Sequence, residues 1–187
     1  MPDHSAYELR RIESRSTIRL RVRPNAAEAA METLELPANC QCTSGSPAKY
    51  WLSPDQWLLA SDSLSAAELL QQLESELGGQ LYLAIDLSSG LACFSMKGPA
   101  ARILLAMGCG VDMHPSAFRS GQCVRTRFAN VALVIAAVGK NSFELFVDRS
   151  LAGYLEEWIA AASEDPLAQK SRRAPSTQLR SLPGRAP

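Results

Sequence analysis

The longest uninterrupted apolar run in this chain, Val131-Ala132-Leu133-Val134-Ile135-Ala136-Ala137-Val138, has the length of one strand. A bilayer-spanning helix needs about 20 apolar residues, so the core must instead be assembled from many short pieces. Those pieces alternate in period. Residues 17–23 set Ile18, Leu20 and Val22 against Arg19, Arg21 and Arg23, which is the period of two of a half-buried strand with a basic outward face. Residues 66–77 carry Leu69, Leu70, Leu73 and Leu77 at spacings of three and four, which is one face of a helix.

The rest of the chain follows the same alternation. Pro24 opens a short helix over 26–35, Pro37 stops it, and 39–47 is a polar loop. Short strands over 49–52 and 56–60 turn about Ser53-Pro54-Asp55 and carry Trp51 and Trp57. Gly78-Gly79 ends the leucine helix. Strands are then predicted over 81–87 and 91–97, a helix from Gly98-Pro99 to about Met107, and a loop over 111–120. A hairpin of 122–128 with 131–138, a strand over 143–147 and a helix over 151–162 complete the chain. Each half reads as strand–helix–hairpin–helix, with one further strand linking the halves. The expected fold is α+β, a pseudo-duplicated domain of largely antiparallel sheets covered by helices. It spans 16–163, in halves of 16–80 and 81–163. A flexible N-terminal tail over 1–15 precedes it, and a basic, Pro-rich tail over 164–187, with Arg172 and Arg173, follows.

Charge divides along the same lines. Residues 24–169 hold eight basic and sixteen acidic side chains, a net of −8, whereas the first 23 residues carry +3 and the last 18 carry +5. An acidic body is repelled by a phosphate backbone, and no aromatic-interleaved basic groove is visible, so nucleic acid is not an expected partner. The polar N-terminus, with Asp3, His4, Glu8, Arg10 and Arg11, lacks the apolar stretch of a secretory signal. A cytoplasmic protein without a membrane partner is expected. Five cysteines, an odd number, read as reduced thiols rather than a disulfide framework.

A search for chemistry yields isolated groups rather than a cluster. His4 and His114 are the two histidines. His114 precedes Pro115 and lies two residues from Asp112, so a histidine base or metal site would have to be built there. A pairing with Cys109 or Cys123 is conceivable; the other reading is a loop that docks on the body or on a partner. Gly108-Cys109-Gly110 lacks the spacing of a dinucleotide fingerprint, and Gly98-Pro99 reads as a turn into a helix. Asp86, at the end of an apolar strand, either accepts turn hydrogen bonds from Ser88 and Ser89 or grips a ligand. Trp51, Trp57 and Trp158 are large groups for a core or an interface. Arg125 and Arg127 either pair with a partner or line a solvated face. No residue is assigned to catalysis, to a cofactor or to a metal.

One ordered set of strings goes further. Leu81-Tyr82-Leu83-Ala84-Ile85-Asp86-Leu87-Ser88 is followed by Met96-Lys97-Gly98-Pro99-Ala100-Ala101-Arg102, and then by Gly108-Cys109-Gly110-Val111-Asp112-Met113-His114-Pro115, Phe118 and Gly121-Gln122-Cys123. Phe143-Glu144-Leu145-Phe146-Val147-Asp148-Arg149-Ser150-Leu151-Ala152, Tyr154-Leu155 and Trp158 complete it. Over about 81–160 this resembles the gamma subunit family of heterotetrameric sarcosine oxidases, with its "DxS … GPxAR" signature. The match is looser in the first half.

The resemblance implies the aminomethyltransferase-like folate-binding fold, shared with the glycine-cleavage T protein. It also implies a catalytically inactive chain within an enzyme that demethylates sarcosine to glycine. That enzyme yields hydrogen peroxide and either formaldehyde or 5,10-methylenetetrahydrofolate. FAD, FMN and NAD would be held by the alpha and beta subunits, tetrahydrofolate by alpha and zinc by delta, leaving none for this chain. The partners implied are those alpha, beta and delta subunits. Possible interface or structural residues are Trp57, Asp86, Gly98, Pro99, Asp112, His114, Pro115, Arg125, Arg127, Arg149, Trp158, Arg172 and Arg173. The alternative is a stand-alone folate-binding or one-carbon transfer protein, with Asp86 as the carboxylate for the pterin ring. The KGCYxGQE-type motif of the folate-binding maturation proteins is missing, and Gly121-Gln122-Cys123 is a faint echo of it.

Overall fold

A computed structural model describes residues 7–164 of the chain. The period-two segment forms a strand whose Ile18, Leu20 and Val22 are buried against helices, which turns Arg19 and Arg21 to the other face. In chain order the elements are β1 (Glu8–Ile12), β2 (Ser16–Val22), α1 (Ala27–Thr33), β3 (Cys42–Thr43), β4 (Ala48–Ser53) and β5 (Gln56–Ser61). They continue with α2 (Ala66–Leu77), β6 (Tyr82–Asp86), β7 (Leu91–Lys97) and α3 (Ala101–Gly108). Last come β8 (Gln122–Phe128), β9 (Val131–Gly139), β10 (Ser142–Asp148) and α4 (Ala152–Glu164). Helix α2 starts on a capping box: the Ser65 hydroxyl accepts from the Glu68 amide, and the Glu68 carboxylate accepts from the Ser65 amide. Its Leu69, Leu73 and Leu77 are buried.

Two five-stranded sheets result, in the orders β1-β7-β10-β9-β8 and β3-β4-β5-β2-β6. The paired strands are antiparallel throughout. Read from opposite ends, the two orders are one pattern. β2-α1-β3-β4-β5-α2-β6 in one half corresponds to β7-α3-β8-β9-β10-α4 in the other, and β1 takes in its sheet the place that β6 takes in the second. The duplication is real, and its units exchange strands relative to the expected halves. β6, expected in the second half, completes the sheet of the first.

The expected N-terminal tail over 1–15 is corrected in the same way. Residues 8–12 are a strand on the edge of β7, with Leu9 opposite Met96 and Ile12 opposite Cys93. An edge strand is covered on one side only and so needs few apolar residues, which is why ELRRI carries too weak a pattern to read. The loop expected over 39–47 contains β3, two residues long and paired with β4. Of the expected tail over 164–187, Glu164 ends α4; Arg172 and Arg173 lie outside the described residues.

The layers are helices, sheet, sheet, helices. α1 and α2 cover β2 and β5 over Ile18, Leu20, Trp57 and Leu59. α3 and α4 cover the other sheet over Phe94, Met96, Ile135, Phe143 and Leu145. Between the sheets, Tyr50, Leu58 and Ala60 meet Cys93, Cys123, Ala136 and Phe146 in a third, smaller core. A direct bridge joins Gln41, the residue before β3, to Gln122 of β8 at the seam. No described helix is long and apolar enough to cross a membrane.

The last turn of α3 is a close approach. A Cβ added at Gly108 would lie 2.3 Å from Phe128 Cε2, and the buried Phe128 ring is held edge-on against Trp158 with centroids 4.7 Å apart. Overpacking of this kind costs about 1–3 kcal/mol. Gly108→Ala is therefore expected to lose about that much in urea denaturation, together with a change in the near-UV signal of Trp158. An unchanged midpoint would show that the ring has room to retreat.

Candidate interaction surface

Four polar side chains hold the two sheets together. The Tyr50 hydroxyl, from β4, donates to Glu144 on β10. Arg15, in the link between β1 and β2, donates to Glu144 Oε1 at 2.9 Å and to both Asp62 oxygens at 2.7 and 2.8 Å. The Arg15 and Glu144 side chains are only 10% and 17% exposed. Burial opposes the Arg15 charge, yet the two carboxylates outweigh it and hold the guanidinium pKa above its ordinary value. Burial, with Glu144 beside it, also raises the Tyr50 pKa, so the phenol stays a donor. The Arg15 hydrogen bond holds the Asp62 carboxyl below the usual carboxylate range.

A second buried cation fixes the loop between α3 and β8. Arg102 donates through Nη1 to the Met113 and Phe118 carbonyls, both at 2.9 Å, and through Nε to Lys140 O at 2.8 Å. Its guanidinium carbon lies 5.0 Å from the Phe143 ring centroid. Burial alone lowers its pKa. The loop so tethered presents His114 and Pro115 to solvent. Asp112 Oδ1 accepts from the His114 amide at 2.9 Å, and His114 Nδ1 shares a hydrogen bond with Ser116 Oγ at 2.7 Å. Asp112 and His114 thus sit in one turn, with their mutual contact made through the backbone. Neither Cys109 nor Cys123 hydrogen-bonds to His114; their thiols donate to backbone carbonyls.

The other sequence candidates are placed as follows. Asp86 is exposed and accepts from the Ser88 amide at 2.8 Å and the Ser88 hydroxyl at 2.5 Å. Arg149 donates to the carbonyls of Ser89, Ser88 and Leu91, which ties the β6–β7 turn to the start of α4. Gly98, at φ +118°, lets the chain turn between β7 and α3, and Pro99 follows it exposed. Trp57 is buried, with its indole donating to Pro37 O at 3.0 Å, and Trp158 is half-buried on Phe128. Among the described residues no group of three or more His, Cys, Asp or Glu is placed to hold a metal.

Between the sheets a cleft of about 320 Å³ opens beside the third core. Leu52, Leu58, Val134 and Phe146 line it, and Arg19 from β2 and Arg125 from β8 face into it from opposite sheets. Arg127 lies two residues beyond Arg125 on the same face of β8 and is exposed. Asp148 lines the cleft too, but its carboxylate accepts from the amide and hydroxyl of Ser150. Those bonds hold its pKa below the usual range. Asp86 does not line the cleft, so the carboxylate offered for a pterin ring is not placed in it.

Arg15, Tyr50 and Glu144 were not among the candidate residues, and Arg102 entered only as the arginine of the GPxAR string. A carboxylate inside the apolar run Phe143-Glu144-Leu145-Phe146-Val147 was the available signal for the first group. For Arg102, it was an arginine in the first turn of an apolar helix.

Comparison with known proteins gives concordant results. The family described as "Sarcosine oxidase, gamma subunit family" matches residues 22–165. The sarcosine oxidase subunit gamma of Corynebacterium sp. (strain U-96) is 29% identical over 167 residues, covering 86% of this chain and 80% of the relative. The corresponding subunit from an Arthrobacter species is 29% identical over 164 residues, covering 84% and 80%. Among solved structures, a chain of the heterotetrameric sarcosine oxidase from Corynebacterium sp. U-96, in complex with pyrrole 2-carboxylate, superposes with a TM-score of 0.75. It has 26% identity over 85% of this chain and 84% of that one. The glycine cleavage system aminomethyltransferase T from Bartonella henselae gives a TM-score of 0.62 at 16% identity, over 83% of this chain and 45% of that one, and so shares the fold.

Proposed function

This chain belongs to the sarcosine oxidase gamma subunit family, and from that premise we propose that it is the non-catalytic gamma subunit of a heterotetrameric sarcosine oxidase. In this reading the complex demethylates sarcosine to glycine and forms hydrogen peroxide with formaldehyde or 5,10-methylenetetrahydrofolate. FAD, FMN, NAD, tetrahydrofolate and zinc belong to the alpha, beta and delta subunits. The gamma chain, in the cytoplasm, holds the large subunits in one arrangement by binding only their assembled form. The Asp112–Pro115 loop, the residues beyond 164 and the basic sheet face are its contact elements.

One observation carries the reading. Two polar groups that the sequence offered for chemistry are engaged in holding backbone, Asp86 its turn and Asp112 the His114 amide, and Arg149, offered as an interface or structural residue, holds three carbonyls. The arginines Arg19 and Arg125 instead face outward or into the cleft, where a partner can reach them. A subunit that acts by contact needs this division: a rigid interior and a charged outer surface.

The test is co-purification of the tagged full chain from its native cells, with a sarcosine turnover assay on the chain alone and on what it brings down. Recovery of large flavin-bearing subunits, with activity in the complex and none in the isolated chain, is expected. Turnover by the chain alone, or micromolar tetrahydrofolate binding by it in calorimetry, would replace this reading with the stand-alone one-carbon protein.

A further inference from the structure

The inner face of the β3-β4-β5-β2-β6 sheet extends past the sheet that covers it. Because Ile18, Leu20 and Val22 pack toward the helices, as do Tyr82 and Ala84, their neighbours Arg19, Arg21, Leu83 and Ile85 lie on the inner face. Register sets them side by side, with Arg19 opposite Ile85 and Arg21 opposite Leu83. Leu81 and Leu83 are 66% and 54% exposed, the highest values among the large apolar residues. The arginine–leucine row runs from there into the cleft, where Arg125 faces it from the other sheet. Arg21 meets Asp55 at 2.8 Å. Among the described residues the Arg19 and Arg125 side chains have no hydrogen-bond or ion-pair partner.

β6 is also an edge. Leu87 N donates to Thr17 O at 2.8 Å, and Arg23 N to Leu81 O at 3.4 Å. In an antiparallel ladder this phase commits the odd-numbered residues of the strand to β2 and turns the N–H and C=O groups of Tyr82, Ala84 and Asp86 outward. Natural edges are commonly blunted by a charge or a proline on the edge strand. Tyr82–Asp86 contains no proline, and its single charge, Asp86, stands at the end of the strand opposite Ile18, on the helix side of the sheet.

We propose that β6 is the docking edge for an extended, acidic segment of a partner subunit, which pairs with Tyr82, Ala84 and Asp86 as a sixth strand. Its apolar side chains rest on Leu83 and Ile85, and its carboxylates meet Arg19, Arg21 and Arg125. Strand addition of this kind takes affinity from main-chain bonds and specificity from alternate side chains. Two other occupants fit the charge poorly. A second copy pairing β6 to β6 would bring Leu83 and Ile85 but no carboxylate to the inner face, leaving Arg19 and Arg125 without a counter-charge. Residues 165–187 of this chain hold Asp165 against Lys170, Arg172, Arg173, Arg180 and Arg185, so they carry the wrong sign.

The proposal rests on the subunit reading, and one experiment separates the two. Amide hydrogen exchange is compared between the full chain alone and the co-purified complex. The amides of Tyr82, Ala84 and Asp86 should slow by about 100-fold in the complex. Ala84→Pro, which removes an outward N–H and leaves the bonds to β2, should reduce recovered partner at least tenfold. Leu83→Glu, at an exposed position, puts a like charge against the acidic segment and serves as the milder variant, and retained melting behaviour shows that each still folds. Arg19→Glu should weaken the complex further, and added salt should weaken the wild-type complex. A complex that forms while these amides exchange as in the free chain overturns the docking edge and leaves the subunit reading intact. Protection in the isolated chain that grows with concentration identifies a second copy and also overturns it. Failure to recover any complex removes the subunit reading, and this inference with it.

Discussion

Arg15→Ala is expected to lower the unfolding free energy by about 3–5 kcal/mol, the range found when one partner of a buried ion pair is removed. The Glu144 carboxylate would then remain between the sheets with the Tyr50 hydroxyl as its donor, while Asp62 returns to solvent. The deficit should depend on pH, with a definite sign. Arg15 holds the Asp62 carboxyl below its ordinary pKa. That stabilisation is present above the ordinary carboxylate range and is lost as pH falls through the depressed value. Wild type and variant should therefore differ most at neutral pH and converge in acid. Urea denaturation at a series of pH values measures both parts. Replacing the set together, as Arg15→Met, Tyr50→Phe and Glu144→Leu, should recover much of the loss, since no lone charge is left between the sheets. A variant as stable as wild type at neutral pH would show that the network is incidental to the joining of the sheets.

Arg102→Ala should be almost as damaging, at about 3 kcal/mol. It takes a charge-assisted donor from three carbonyls, each such bond being worth about 1.5–3 kcal/mol before water replaces part of it, and uncovers Phe143. The damage should be local as well as global. Met113 and Phe118, buried beside the guanidinium, anchor the loop that carries His114, so exchange of the loop amides should quicken far more than that of β9. Arg102→Lys should restore only a fraction, because an ammonium cannot reproduce the planar fork that spans the acceptors. Equal effects on loop and core would mean that Arg102 stabilises the whole domain without a particular hold on the loop.

How far the sequence could be read depended on where each pattern came from. α2 and β8 were legible to the residue because their signals are local: four leucines at helical spacing behind a capping serine, and a strand bounded by Gly121 and by Ala129-Asn130. β1 was not legible, since ELRRI owes its conformation to β7, some eighty residues away. The division into halves at 80 and 81 failed for a related reason. Sequence order shows that β6 follows α2, and nothing in it says which sheet receives the strand. Among candidate residues, Asp86 and Gly98 could be assigned a turn from their own neighbours. Arg15, Tyr50 and Glu144 are single residues on three separate segments, and only the packing of one sheet on another makes them a group.

The exchange of β1 and β6 has a consequence for the order in which the molecule can assemble. One sheet draws all of its strands from the contiguous stretch 16–86, while the other needs β1 from the beginning of the chain and β7 to β10 from its later part. Alone, the pairing of β1 with β7 would have to close a very long loop, with the entropy that entails. Once the contiguous sheet has formed, however, β2 lies against β6, with Thr17 N donating to Ser88 Oγ at 3.0 Å and Leu87 N to Thr17 O at 2.8 Å. β1 and β7 then leave from the same corner, each a few residues away, and can zip together like the arms of a hairpin.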